Sequence, residues 1–173
     1  VIDMILVVTL NPFIDKIYNV EGVKRNKSYN VKDFQYTPGG NGINVAKIIR
    51  GFNEEVMVLG FVGGETGVYI EKELDRMGIR HRFIPIKEET PSVIRILGKD
   101  GSYIEVIEEG PSISTDELIQ FYELYKELIM DKDMVCASGD LPPGLPAEIY
   151  RDLIIMAKEY NKEFLLDTSG KAL

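Results

Sequence analysis

The sequence predicts an α/β fold built on a largely parallel sheet, and three observations predict it. An unbroken apolar run, Met4-Ile5-Leu6-Val7-Val8, ends at Asn11-Pro12, as a strand buried on both faces would. Segments with apolar residues at helical spacing then alternate with further short apolar runs. Antiparallel pieces, recognisable by two-residue alternation, interrupt that order twice.

Taken in order, residues 4–10 predict a central strand. In residues 29–36 the polar and apolar side chains alternate with a phase shift, which predicts an exposed, bulged strand outside the main sheet. Pro38-Gly39-Gly40-Asn41-Gly42 gives way to Ile43, Val45, Ala46, Ile48 and Ile49 at helical spacing up to Gly51. Residues 55–63 predict a second apolar strand. Residues 66–77 predict a helix with Val68, Tyr69, Leu74 and Met77 inward and a stop at Gly78. Three short strands follow at 79–86, 92–98 and 102–107, the last two joined as a hairpin across Lys99-Asp100-Gly101-Ser102. Ser114 and Glu117 fit a capping box opening a helix to about Met130. A strand at 133–137, a helix at 146–160 and a strand at 163–167 complete the reading. No internal repeat, low-complexity segment or heptad run is visible.

The 173 residues, 45% hydrophobic and 28% charged, suit one globular domain with a hydrophobic core. Twenty Lys and Arg stand against 28 Asp and Glu, a formal charge of −8, which disfavours a nucleic-acid partner but leaves room for a local pocket for a small anion. No stretch reaches the roughly 20 apolar residues needed to span a bilayer. The opening VIDMILVVTLNP carries Asp3 and no basic segment, so it does not read as a signal peptide. The single Cys136 cannot form an internal disulfide, which fits a reducing cytoplasm. The expectation is a soluble, cytoplasmic protein without a membrane partner.

In open α/β sheets, ligands bind beyond the carboxyl ends of the strands. Four polar or glycine clusters fall there: residues 11–15, 60–64, 138–144 and 167–170. Asp15 reads either as a turn residue or as an ionised acceptor for two sugar hydroxyls. The loop Gly39-Gly40-Asn41-Gly42, opening a helix, can present backbone N–H groups to an oxygen-rich ligand. It is neither a Walker loop nor a dinucleotide fingerprint, since Gly42 is followed by Ile43-Asn44. Asn44, one turn into the helix, reads as a donor to a ligand hydroxyl or as a solvated residue. His81, the only histidine, between Arg80 and Arg82 on an edge strand, reads as a solvated residue in preference to a general base. The acidic Glu105, Glu108 and Glu109 read as a solvated strand end. One His and one Cys leave structural zinc and Ser/His/Asp catalysis without partners.

These clusters resemble the PfkB (ribokinase-like) carbohydrate kinase family, most closely its 1-phosphofructokinase and tagatose-6-phosphate kinase branch. The resemblance runs the length of the chain. It is carried by T-L-N-P-x-x-D at 9–15, P-G-G-x-G-I-N-V-A at 38–46, G-x-x-G-G-x-x-G at 60–67, S-G-x-L-P-P-G at 138–144 and D-T-S-G-x-A-L at 167–173. It implies a three-layer α/β/α sandwich with a small β-sheet lid, from segments at about 16–36 and 91–107, which also makes a homodimer. It implies that Asp15, Gly39, Gly40, Asn41 and Asn44 hold the sugar, with Ser138 and Gly139 near the phosphoryl-transfer site. The implied reaction moves the ATP γ-phosphate to a hydroxyl of a sugar phosphate of the fructose 1-phosphate, fructose 6-phosphate or tagatose 6-phosphate type, with Mg²⁺.

Some positions depart from the family. Asn41 stands where the phosphosugar branch has Lys, Pro91 where it has Arg, and Asp140 where Ser is usual. Lys27, Arg82 or Arg95 would then meet a substrate phosphate, with Arg95 on the lid strand best placed. The family's catalytic Asp lies in a G-A-G-D motif, after an N-x-x-E motif linked to Mg²⁺, and neither occurs in these residues. Ala137-Ser138-Gly139-Asp140 continues into Leu-Pro-Pro-Gly, and Asp167-Thr168-Ser169-Gly170 into Lys-Ala-Leu, so neither supplies the base. The chain is therefore expected to be the N-terminal, sugar-binding half of the kinase domain over 1–173, truncated before the nucleotide-binding part, inactive alone, with an unpaired strand at 163–167. An unphosphorylated sugar or nucleoside as substrate, and a non-catalytic sugar-binding or dimerisation module, are the alternative readings.

Overall fold

The computed structural model describes residues 4–170; the expectations touching Asp3 and Lys171-Ala172-Leu173 lie outside the described residues. Strand β1 (Ile5–Thr9) is the apolar run, and its neighbours explain its composition: Leu6, Val7 and Val8 are fully buried. β1 pairs in parallel with β4 (Val56–Val62) on one side and β8 (Met134–Ser138) on the other. β5 (Arg80–Pro85) and β9 (Glu163–Asp167) flank these, giving the parallel order β5-β4-β1-β8-β9. Successive side chains of a strand face opposite ways. Val7 packs with Ile43 and Ala46 of α1 (Asn41–Gly51) and with Ile70 and Leu74 of α2 (Gly64–Arg76). Leu6 and Val8 pack with Phe121 and Tyr125 of α3 (Thr115–Ile129) and Leu153 of α4 (Ile149–Glu159). The result is a three-layer α/β/α sandwich. The buried Tyr125 hydroxyl donates to the Leu153 carbonyl at 2.9 Å, tying α3 to α4, and burial pushes its pKa upward.

A second, four-stranded sheet, in the order β3-β2-β6-β7, lies outside this sandwich. It comprises β2 (Phe13–Val20), β3 (Phe34–Gly39), β6 (Ser92–Gly98) and β7 (Tyr103–Ile107). The β6–β7 hairpin is as expected, but β2 and β6 run parallel, so this sheet is mixed. The main chain from β1 to α1 and from β5 to α3 passes through it, which explains why both interruptions of the α/β order feed one small sheet.

Several local expectations change. Residues 29–33 are not strand, because the Tyr29 hydroxyl donates to the Gly22 carbonyl (2.9 Å) and accepts from the Lys24 N–H (2.7 Å), folding that stretch into a closed loop. Residues 13–15, expected as loop, begin β2 because Phe13, Ile14 and Asp15 pair across to Gly39, Pro38 and Thr37. α2 starts two residues earlier than expected, at Gly64, and turns Gly67, Ile70 and Leu74 inward, leaving Val68 and Met77 exposed. Ile48 of α1 is likewise exposed. α4 begins at Ile149 rather than 146. His81 does lie on the edge strand β5, yet its ring is mostly covered and bonds Asp75 at 3.1 Å. Glu105 and Glu108 are engaged rather than merely solvated, by Arg95 and by the Ser92 N–H respectively. β9 is the outer strand of the main sheet, with Leu165 exposed on it.

The capping box forms. Glu117 accepts from the Ser114 N–H at 2.7 Å and from the Lys87 N–H at 2.9 Å, while Ser114 accepts from the Glu117 N–H. Burial acts to raise the Glu117 pKa, but the hydrogen bonds from Ser114 and Lys87 outweigh it and hold the carboxyl below its usual range. A depressed folded-state pKa stabilises the fold above the unfolded value, about 4.3, and that stabilisation is lost as pH falls through the folded-state value. Ser114→Ala is expected to cost about 1 kcal/mol in urea unfolding at neutral pH, without a change in slope. Glu117→Gln is expected to flatten the acid limb of the stability curve below about pH 4.3.

Candidate functional site

Chain order places a topological switch point at β1. The chain leaves β1 towards β4 and β5 on one side, then returns to β8 and β9 on the other. A crevice opens at the carboxyl ends of two strands that diverge in this way. It is present here, lined by Thr9 and Asn11 after β1, Phe13 of β2, Gly40 and Asn41 at the start of α1, and Ser138, Gly139 and Asp140 after β8.

One wall is the N-terminus of α1. Gly40 is its N-cap, at φ +106°, with no side chain to cap the helix and no acidic residue in the first turn. The first intrahelical bond is Asn44 N–H to the Gly40 carbonyl at 3.0 Å. The N–H groups before it therefore have no partner within the helix, and the positive end of the helix dipole is uncompensated by its own turn. The helix reaches the crevice because Gly42 sits directly on β1. A Cβ there would lie 2.6 Å from the Thr9 Cβ and 3.1 Å from the Val8 carbonyl oxygen.

The opposite wall is the loop after β8, clamped to the loop after β9. The buried Ser138 hydroxyl donates to Asp167 at 2.9 Å, the Gly139 N–H to the Asp167 carbonyl at 3.1 Å, and the Tyr150 and Thr168 hydroxyls both donate to the Gly139 carbonyl. Gly139, at φ +118°, turns the chain toward α1, and a Cβ on it would lie 3.8 Å from that of Asn41. Asp140 accepts from the Ser169 hydroxyl at 3.1 Å.

Of the sequence-predicted residues, the crevice thus gathers Gly40, Asn41, Ser138 and Gly139. Gly39 ends β3 immediately before it, and Asn44 is exposed one turn along α1. Asp15 and Arg95 lie on β2 and β6 of the small sheet, where they form an ion pair with each other; Arg95 Nε also bonds Glu105 at 2.6 Å. Asp15 is therefore a strand residue, not a turn or cap.

Lys47 of α1 was not singled out by sequence, since one lysine in an amphipathic helix carries no signal. Its ammonium donates to Thr37 Oγ1 (3.1 Å) and to the Pro38 carbonyl, just before Gly39 and Gly40. Burial lowers its pKa, and the Asp15 carboxylate acts against that shift. Lys47 and Arg95 thus bring positive charge to Asp15 from two different bodies of the fold.

The 60–64 cluster turns out to serve packing. A Cβ on Gly63 would overlap the Glu88 carbonyl, and one on Gly64 the Glu89 carboxylate, because residues 86–90 lie across this end of β4. Glu89 accepts from the Thr66 N–H at 2.6 Å in the first turn of α2, and that bond holds its carboxyl below the usual range. The N-terminus of α2 already carries an internal anion. Among the described residues no group of three His, Cys, Asp or Glu converges to hold a metal ion, and no helix is long and apolar enough to cross a membrane.

If close seating of α1 on β1 sets this crevice, Gly42→Ala is expected to cost about 1–3 kcal/mol in chemical unfolding. Gly51→Ala, at the open end of the same helix, is expected to leave stability unchanged or raise it by up to about 1 kcal/mol.

The profile of the pfkB family carbohydrate kinases matches residues 4–173. A possible 1-phosphofructokinase from Thermotoga maritima superposes with a TM-score of 0.91 at 28% identity, over 98% of this chain and 55% of that one. Phosphofructokinase-2 from Escherichia coli in complex with fructose-6-phosphate gives 0.85 at 22% identity, over 99% of this chain and 56% of that one. A carbohydrate kinase from Agrobacterium tumefaciens gives 0.72 at 21% identity, over 95% and 53%. The chain spans about half the length of these structures, and it belongs to the pfkB carbohydrate kinase family.

Proposed function

From this family membership, we propose that the chain carries the sugar-binding half of a kinase that phosphorylates a ketose phosphate with ATP. The observation that carries the reading is the crevice at the switch point, where the uncapped start of α1 faces the Ser138–Gly139 loop. A sugar is a dense array of hydroxyls, and this crevice offers backbone N–H groups on one wall and the Asp140 carboxylate on the other. The small sheet would act as the lid, bringing Asp15 to two sugar hydroxyls and Arg95 to the phosphate. Gly39 and Asn44 would complete the sugar contacts. A cytoplasmic location fits the free Cys136.

ATP and Mg²⁺ enter through the family alone. Among the described residues, no three His, Cys, Asp or Glu side chains converge to hold the ion. Transfer of this kind relies on alignment and charge neutralisation, with a base taking the hydroxyl proton. The sequence holds no G-A-G-D motif for that base, so the chain alone is expected to bind sugar and transfer nothing.

One observation favours the alternative of an unphosphorylated sugar or nucleoside. The Arg95 guanidinium already has two carboxylate partners, Asp15 and Glu105, and has no spare charge while both hold it. A calorimetric panel of fructose 6-phosphate, fructose 1-phosphate, tagatose 6-phosphate and the free sugars separates the two. The proposal expects the phosphates to bind more tightly, Asp15→Asn to weaken binding about tenfold or more, and no ATP consumption above background. Equal binding of phosphorylated and free sugars would favour the alternative. Sustained Mg-ATP-dependent phosphorylation by this chain would overturn the half-site reading.

We also propose the lid as a homodimer surface, because β7 is the outer strand of its sheet and exposes Tyr103, Ile104, Val106 and Ile107. Sedimentation should show a dimer, and Ile107→Glu should return the monomer mass.

A further inference from the structure

We propose that Glu105 is a positioning residue that sets how strongly the site prefers a phosphorylated sugar, by competing with the substrate phosphate for Arg95; this rests on the proposed meeting of Arg95 with that phosphate. The ion pairs join three strands of the small sheet. Arg95 of β6 stands directly opposite Glu105 of β7, and on its other side opposite Ile17 of β2, two residues on from Asp15. That spacing puts Asp15, Arg95 and Glu105 on one face of the sheet. An arginine holds a phosphate best through two parallel N–H bonds, and its planar fork has two edges for this, Nε with Nη2 and Nη1 with Nη2. Glu105 Oε1 accepts from Nε at 2.6 Å, and Asp15 Oδ1 accepts from Nη1. Each edge therefore has one position filled, and a phosphate gains a bidentate hold only by displacing a carboxylate.

The two carboxylates are not held alike. The Asp15 side chain is the more covered, 18% exposed, and the Lys47 ammonium interacts with it as well. The Glu105 side chain is 33% exposed and stands on the outer strand of its sheet, every residue of which is exposed. Released from Arg95, the Glu105 carboxylate is hydrated at little cost, because an exposed ion pair contributes little. Asp15, less accessible to water and facing two cations, is the harder to detach. The Nε–Nη2 edge is thus the one that opens to a phosphate, with Asp15 kept on Nη1. A free sugar makes no demand on that edge, so Glu105 opposes the phosphorylated ligand alone and narrows the difference between the two.

The test is calorimetry on the chain, on Glu105→Gln and on Glu105→Thr, which removes the charge with a residue suited to a strand. The ligands are fructose 6-phosphate, fructose 1-phosphate, tagatose 6-phosphate and the free sugars. Both variants should widen the ratio of sugar-phosphate to free-sugar affinity about 3- to 10-fold over the parent chain, and should create a preference where the parent chain shows none. A merely structural role would move the two affinities together and leave their ratio where it was. In an Arg95→Met background Glu105→Gln should no longer widen the ratio, because its effect runs through the guanidinium. A ratio unchanged in both Glu105 variants, or one that widens equally without Arg95, would overturn the inference while leaving the sugar-binding reading intact. Failure of the parent chain to bind any sugar or sugar phosphate would instead remove that reading, and the inference with it.

Discussion

The approach of α1 to β1 is the constraint on which the site depends. Gly42 lies against Thr9 with no room for a methyl group, and this contact brings the start of α1 to the carboxyl end of the central strand. Moving the helix outward by the depth of one side chain would part Gly40 and Asn41 from the Ser138–Gly139 loop and open the crevice. The buried Thr9 takes part twice, since the carbonyl of the same residue faces Gly60 of β4, where a Cβ would overlap it. The two sides of β1 are thus fixed by absent side chains, and the edge of the sheet inherits their geometry.

The small sheet is joined to this edge by charge as well as by chain. Lys47, from the sandwich, holds the Pro38 carbonyl and Thr37 at the end of β3; Thr37 lies opposite Asp15 in the β2–β3 register. Arg95 reaches Asp15 from β6. A half-buried ammonium is less costly beside a carboxylate, and Arg95 pairs with that same carboxylate from the other side. Asp15, the residue proposed to meet the sugar hydroxyls, therefore begins in a paired state. Any ligand that takes it must give the carboxylate hydrogen bonds comparable to those it leaves, which favours a polyol over an apolar or singly hydroxylated molecule.

The succession of strands and helices along the chain was legible because it is written in periodicity, while the three layers came from the family resemblance. The Leu6, Val7, Val8 run, the Ser114–Glu117 box and the Asp100-Gly101 hairpin each state a local rule that the tertiary structure keeps. Errors fell where a specific contact, near or far in sequence, overrode the local pattern. The Tyr29 hydroxyl closes a loop in place of a strand, and the parallel pairing of β2 with β6 joins segments some 80 residues apart, as the Arg95–Asp15 pair does. At the site, glycine and motif spacing led to Gly40, Asn41, Ser138 and Gly139, but the same reasoning gave equal standing to 60–64. There the glycines make room for Glu88 and Glu89, and only the fold distinguishes a glycine that clears a ligand from one that clears its own chain.

Those two uses of glycine bear on which end of the sheet can take a ligand. α1 and α2 both begin beyond carboxyl ends of strands, both without a capping side chain, and both follow glycine-rich turns. At α2 the chain supplies its own anion, Glu89, together with the Thr90 hydroxyl that accepts from the Gly63 N–H at 2.8 Å. At α1 it supplies none: the first turn is without acid and no side chain caps it. A helix start whose polar groups are satisfied internally is finished structure. One that leaves N–H donors at its tip is complementary to an acceptor, and a sugar hydroxyl accepts as readily as it donates.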